Sequence, residues 1–376
     1  MGLITYLTTI RFESGAVKEL AADLSGLGIT RPLIVTDAGV VAAGLIDRVA
    51  AGAPALGTAP VFDDVPTNPT EEAVEAALAL YRQNGCDGLV ALGGGSPIDL
   101  AKAVALLATH DGPLETYAAI LGGIPKVTAR VAPLIAVPTT AGTGSEVGRA
   151  ALITLRDGRK LGFISPYLIP KLAVCDPDLT LGLPPMLTAA TGMDALTHCI
   201  ETYLSPRDNP PAEAIALDGL SRAVRFLEKA VADGQDREAR REMMMAALEG
   251  GLTFQKGLGA VHSLSHALGG LKELRLHHGT LNAVLLPAVL RFNEPAAGAK
   301  YDALRRTIGL APGADLAGFI EGLNGRLGMP KSLGAMGVPT QVISAIAVAA
   351  KADHSTATNP RQASEAEFEA LLREAM

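Results

Sequence analysis

Residues 88–102 read GLVALGGGSPIDLAK. An apolar run ends in three glycines, Gly93, Gly94 and Gly95, and passes directly into a stretch of helical character over 97–109. A run this apolar suits a strand covered on both faces, as in a parallel sheet flanked by helices. Ser96 is a good helix N-cap, Pro97 suits the first helical position, and Asp99 completes a pattern like a capping box. Glycines before a helix N-terminus let an anion approach the backbone, and the free N–H groups and helix dipole favour a phosphate there. The plainer reading is a tight turn, but three glycines exceed what a turn needs.

The same grammar extends to either side. PLIVTD (32–37) reads as a buried strand followed by a helical run from Val40. APVFDD (59–64) is a strand, and Pro69 with Thr70 opens a helix through Tyr81. PLIAVPTT (133–140) is another strand, and ALITL (151–155), KLGFIS (160–165) and LAVCDP (172–177) read as further ones. From Leu183 the pattern becomes helical: 184–204, 210–231, 236–254, 259–269, 279–292, 299–308, 314–327, 340–351 and 364–375. The fold class is therefore α/β followed by all-helical. A Rossmann-like parallel-sheet domain is expected over 1–182 and a helical domain over 183–376. Two domains also suit 376 residues, since single cores stop growing near roughly 250–300.

A net charge of -7 without any basic cluster argues against a nucleic-acid partner. No apolar run is long enough to span a membrane. MGLITYLTTIRFESG has no positive leader before an apolar core, so no signal peptide is expected. Cys86, Cys175 and Cys199 are scattered and odd in number, which fits neither a disulfide framework nor a zinc motif. A cytoplasmic protein is the expectation.

A second glycine-bearing turn, PTTAGTGSEV (138–147), also follows a strand. Thr139, Thr140, Thr143 and Ser145 offer hydroxyls beside flexible glycines. Ligands of open α/β sheets bind beyond the carboxyl ends of the strands, so two such turns suggest one extended phosphate-bearing ligand. Neither turn completes G-x-G-x-x-G, and the motif alone leaves the nucleotide unnamed. Asp37, at the end of PLIVTD, can accept hydrogen bonds from a ribose 2′-hydroxyl and would repel a 2′-phosphate. It can equally cap the next helix.

GMDALTHCIE (192–201) puts Asp194 and His198 one helical turn apart, on one face of a stretch that reads as buried. Four of seven histidines lie in VHSLSHALGGLKELRLHHGTLNAVLLP: His262, His266, His277 and His278. His262 and His266 are again four apart. One lone histidine is more often a satisfied core residue, but these pairs supply imidazoles and a carboxylate suited to Zn, Fe or Ni. His110 and His354 read as surface or structural, though His354 precedes NPR and could line a cleft.

In this order, GGGSPIDLAK, PTTAGTGSEV, CDPDLT, TGMDALTHCIETYLS, HSLSHALGG and HHGTLNAVLLP resemble the iron-dependent (group III) alcohol dehydrogenase family over essentially the whole chain. The resemblance implies a dinucleotide-binding domain, a helical domain, and reversible oxidation of a primary alcohol by NAD. In that chemistry a divalent metal, Fe2+ or alternatively Zn2+, acts as Lewis acid. It implies metal ligands at Asp194, His198, His262 and His278. It implies cofactor contacts at Asp37, Gly94, Gly95, Ser96, Thr139, Thr140, Thr143 and Lys160. His266 matches a catalytic, non-ligand histidine near the nicotinamide. Many members have H-P-L-G where this chain has His266-Ala267-Leu268-Gly269, and the stretch before His278 is slightly longer. His278 is taken over His277 because it directly precedes Gly279. RPLIVTDAGVVAAG, DGRKLGF and FQKGLGAVHSLSHALGGLK are most similar to bacterial 4-hydroxybutyrate dehydrogenases, and the family suggests a homodimer or larger. A carboxylate-bearing substrate would need a cation, for which Arg149, after GTGSEVG, is the first candidate. Short-chain alcohols or diols are the alternative substrates. Dehydroquinate synthase-like lyases and metal-free maleylacetate reductases share the architecture, but a complete Asp/His/His/His set argues against both. Intact turns and ligands argue against a nucleotide-binding protein that has lost catalysis.

Overall fold

The structure, a computed structural model, describes residue 4 and residues 8–376. The described residues divide into two compact units: an α/β unit of 8–140 and 144–182, and a helical unit of 183–376 that also takes in 141–143.

Among the described residues of the α/β unit, strands β1 (Thr9–Phe12), β2 (Pro32–Val35), β3 (Val61–Phe62), β4 (Gly88–Gly93), β5 (Leu134–Pro138) and β8 (Leu172–Cys175) form one sheet. Its order is β1-β8-β5-β4-β2-β3, and every pair is parallel. Helices α1 (Leu20–Gly26), α2 (Ala38–Ala42), α3 (Leu45–Ala50), α4 (Glu71–Gln83) and α5 (Gly95–Leu107) connect the strands. The two-residue alternation of strand side chains builds two cores. Leu33, Val35, Leu89, Ala91, Leu134 and Ala136 face one side, with Val74, Leu78, Ile98 and Val104 of α4 and α5. Ile34, Val90, Leu92, Ile135 and Val137 face the other, with Leu20, Leu24 and Val49 of α1 and α3. This explains why the strands read as continuous apolar runs. Leu89 is fully buried, so Leu89→Ala would cost about 2–5 kcal/mol.

Three features differ from the sequence reading. The stretches 151–155 and 160–165 do form strands, β6 (Ala150–Thr154) and β7 (Lys160–Ile164), but these pair as an antiparallel hairpin outside the main sheet. β1 occupies the sheet edge, and its TIRF sequence carries no apolar run to announce it. Gly94, not Ser96, is the N-cap of α5, and no side chain caps this helix. Gly94 supplies the extended backbone needed there, and Pro97 is tolerated within the first turn because its missing N–H would be unpaired anyway. Ser96 Oγ instead donates to the Thr67 carbonyl at 2.5 Å. Asp99 does not cap either: it accepts from Ser145 Oγ at 2.6 Å and from the Leu152 amide at 3.0 Å. Fully buried Lys102 donates to the carbonyls of Ser145, Gly148 and Ala150 at 2.7–2.9 Å. These bonds fix the return of the chain after the second glycine turn. Burial pushes the Lys102 ammonium down to about 8.

The helical unit contains α6 (Pro185–Leu204), α7 (Pro210–Ala232), α8 (Arg237–Leu252), α9 (Ala260–Gly269), α10 (His278–Thr307), α11 (Leu316–Arg326), α12 (Ile343–Ala352) and α13 (Glu365–Glu374). α6 is buried at every position from Thr188 to Leu204, enclosed by α7, α8 and α10. The two helices read as 279–292 and 299–308 form one element, α10, broken at Ala297, whose backbone is non-helical two residues after Pro295. Among the described residues no helix is long and apolar enough to cross a membrane.

Candidate functional site

In the helical unit, α6 presents Asp194, His198 and Glu201 along one buried face, spaced four and three residues apart. α9 adds His262 and His266, and His278 opens α10. Gly279 allows that approach, since a Cβ there would lie 2.1 Å from the Ala190 carbonyl oxygen of α6.

Three imidazoles converge on one carboxylate oxygen. Asp194 Oδ1 lies 3.4 Å from His198 Nε2, 3.7 Å from His262 Nε2 and 3.7 Å from His278 Nε2. These separations exceed ordinary N–H···O distances. They match the spacing of about 3.4 Å between two ligands each near 2.1 Å from a tetrahedral ion. The donor set therefore fits a divalent metal, and Asp194, His262 and His278 each offer a ligand atom within 4.8 Å of the others. His277 stands apart, with Nδ1 3.4 Å from Thr280 Oγ1. Burial alone would raise the Asp194 carboxyl, but His198, His278 and His262 hold it well below the usual range. Burial pushes His198 down to about 4. Burial also disfavours charge on His262, but Asp194 and Glu201 together hold it up at about 9.

Two supporting residues carried no role in the sequence reading. Glu201 accepts from His262 Nδ1 at 2.6 Å, and from the backbone amides of Val261 and Gly259 at 2.7 and 3.0 Å. This keeps a proton on His262 Nδ1 and turns Nε2 toward Asp194 as the nitrogen that a metal would take, as carboxylates behind ligating histidines do. The signal was available: Glu201 lies seven residues after Asp194, two helical turns along the same face. Asn282 Nδ2 donates to Asp194 Oδ1 at 2.7 Å and lies 3.3 and 3.2 Å from Nε2 of His262 and His278. It comes one turn after His278 on α10.

His266 is buried beside this set. Its ring stacks on His278 with centroids 5.4 Å apart, and its Nδ1 lies 3.1 Å from Asp353 Oδ2. Burial lowers the His266 pKa against the pull of Asp353. Burial would raise Asp353, but His266 and His354 bring it below the usual carboxylate range.

In the α/β unit the two glycine turns end adjacent strands. The Thr139 amide donates to the Gly93 carbonyl at 3.0 Å, and a Cβ on Gly94 would sit 3.1 Å from Thr140 Oγ1. Asp37 Oδ1 caps α2 by accepting from the Val40 amide at 3.0 Å, while Oδ2 faces Gly93. Asp37, Gly94 and Thr140 thus meet at the carboxyl ends of β2, β4 and β5, where the connections reverse direction along the sheet. Lys160 Nζ donates to Asn68 Oδ1 at 2.9 Å, next to the Thr67 carbonyl that holds Ser96. Gly95 opens α5. Thr143 belongs to the helical unit, and Gly142 beside it packs against Thr191 of α6. Arg149 is exposed and belongs to the α/β unit.

Family models described as iron-containing alcohol dehydrogenase and as the C-terminal part of the Fe-containing alcohol dehydrogenase family match residues 8–177 and 188–376. A 4-hydroxybutyrate dehydrogenase of Cupriavidus necator is 56% identical over 383 residues, covering 100% of both chains. A solved 1,3-propanediol oxidoreductase superposes with a TM-score of 0.94 at 36% identity, covering 100% of both chains. A sulfoacetaldehyde reductase from Bifidobacterium kashiwanohense, solved in complex with NAD+, superposes with a TM-score of 0.90 at 28% identity, covering 100% of this chain and 98% of that one.

Proposed function

The chain belongs to the iron-containing alcohol dehydrogenase family, and from that premise we propose that it interconverts 4-hydroxybutyrate and succinic semialdehyde with NAD(H). The observation that carries the chemistry is the convergence of three imidazoles on Asp194. The similarity to the Cupriavidus necator enzyme favours the substrate. The metal would be held by Asp194, His198, His262 and His278, with Fe2+ the proposed ion. When bound, it supplies Lewis acidity at the substrate oxygen, and NAD(H) supplies the hydride chemistry.

The chain's own residues do the rest. Asp194 contributes the anionic charge, and Glu201 holds the proton on His262 Nδ1. His266, oriented by Asp353, is the proposed residue beside the nicotinamide. Gly94, Gly95, Ser96, Thr139, Thr140, Thr143 and Lys160 are the proposed cofactor contacts. The uncapped N-terminus of α5 supports this, because its backbone donors suit a phosphate. Asp37 is proposed to select NAD(H) over NADP(H). The proposed setting is the cytoplasm, as a homodimer or larger assembly, which light scattering on the purified protein tests.

Arg149 is the proposed partner of the substrate carboxylate. Other cations of the helical unit have their own settings: Lys256 is buried against Glu213, and Arg361 pairs with Glu367 and lies over the Phe292 ring. The side chain of Lys272 lies outside the described residues. Arg275 precedes His277 by two residues, with a left-handed backbone at φ 47°.

The test compares succinic semialdehyde with butanal, which lacks the carboxylate, alongside bound-metal analysis. A charged hydrogen bond of about 1.5–3 kcal/mol predicts a kcat/KM preference for the acid of roughly ten- to a hundredfold. Arg149→Met should erase it while sparing butanal; erasure by Arg275→Met instead would move the contact to that residue. Equal turnover of both aldehydes would leave a general alcohol or diol dehydrogenase, the activity named for the 1,3-propanediol neighbour.

A further inference from the structure

Beside the first ligand set, His266, Asp353 and His354 bring a second group of metal-binding atoms together. Each offers one ligand atom, and these atoms all lie within 4.8 Å of one another. Asp353 forms the hinge of the group: Oδ2 is 3.1 Å from His266 Nδ1, and Oδ1 is 3.6 Å from His354 Nδ1. The two imidazoles stack with centroids 5.7 Å apart at 18°, so both turn a Nδ1 edge to the same carboxylate. His354–Thr358 form a short 3-10 helix after α12, with Asp353 as its N-cap: Oδ1 accepts from the Ser355 amide at 2.8 Å, which fixes the carboxylate.

Two imidazoles and a carboxylate suit a borderline dication. Three protein ligands with an open fourth position is the arrangement of an accessible zinc site. Access is present, since the His354 side chain is 43% exposed while His266 is buried at the inner end. We propose that His266, Asp353 and His354 form a second, solvent-accessible divalent-cation site of zinc type, and that its occupation inhibits the enzyme. The site itself stands on these three residues; the inhibition rests on the role proposed above for His266. Binding displaces the Nδ1 proton of His266 to solvent and ties that nitrogen to the cation. The ring that stacks on His278 is then held in place, and Asp353 no longer serves as its hydrogen-bond partner.

The experiment titrates Zn2+ into the full-length holoenzyme and compares it with His354→Ala, counting bound zinc by equilibrium dialysis and assaying NADH-linked turnover after brief exposure. Removing even an outer partner of a metal costs about 10–100-fold in affinity, so loss of a direct ligand should cost at least that. The parent should take up one more equivalent than His354→Ala and lose activity as that equivalent fills. The variant should keep the metal of its first ligand set and its zinc-free activity, and should resist inhibition by at least the same factor. Identical stoichiometry and affinity in the two proteins would overturn the site. Equal inhibition of both would mark displacement at the first ligand set and overturn the inhibitory role. An extra equivalent lost in His354→Ala from a protein without dehydrogenase activity would support the site and remove the proposed function instead.

Discussion

At Glu201 the three accepted hydrogen bonds leave little slack, and each has a separate consequence. The bond from His262 orients a proposed ligand, and the bonds from Gly259 and Val261 seat the start of α9. Glu201→Gln can keep one backbone bond but no longer offers a full carboxylate to His262 Nδ1. Metal affinity, measured by chelator competition, should fall about 10–100-fold, and the thermal midpoint should fall as well, because one buried backbone donor loses its acceptor at about 1–3 kcal/mol. A variant that retains parental affinity would reduce Glu201 to a helix-seating residue. Asp37 allows a similar separation. Asp37→Asn keeps an oxygen for the Val40 amide but loses the charge, so the kcat/KM ratio of NAD to NADP should narrow without loss of stability. An unchanged ratio would leave only the cap. The pairs Asp194 with His198 and His262 with His266 were legible because residue type and helical spacing together mark buried polar pairs; the place of His278 in the set, and of His266 outside it, came from the family resemblance. Asn282 was not, since an amide in a helix carries no chemistry until its neighbours are known.

Helices and strands were read well where one period dominates. α6 stood out as buried and polar on one face, and the doubly covered strands read as apolar runs. β6 and β7 show the limit: their residues declare extended backbone but not the sheet that receives it. α10 shows another, because Pro287 sits inside a continuous element while the break falls at Ala297. Between α7 and α8 the packing has a titration consequence. Glu249 of α8 lies near Asp218 of α7, with Arg222 Nε 3.4 Å from its Oε2. Burial first, and then Asp218, push its carboxyl up from 4.5 to about 8. The folded state therefore holds this proton more tightly than the unfolded chain. Its stabilising contribution is complete below 4.5 and is lost as pH rises through about 8. Glu249→Gln should match the parent in thermal midpoint near about pH 5 and exceed it near about pH 9. A gap that shrinks with rising pH would contradict this.

For the molecule as a whole, the change of grammar at Leu183 gave the main division, and the resemblance gave the family. The detail that neither gave is that 141–143 belong with the helical unit while both flanks belong to the α/β unit. No periodicity marks three residues inside a loop, and only packing of Gly142 on Thr191 makes the assignment visible. Recombination between relatives is thereby constrained. A chimera cut once, between 182 and 183, inherits its alanine-glycine-threonine tripeptide from one parent and the helix beneath it from the other. Crossovers that carry 141–143 along with 183–376 should give soluble, cofactor-binding hybrids more often than single-cut ones, a comparison that a small library of paired chimeras can score. What looks like two cassettes in a row behaves as a graft with a splice in its middle, so the glycine turn and the helical half would be inherited together.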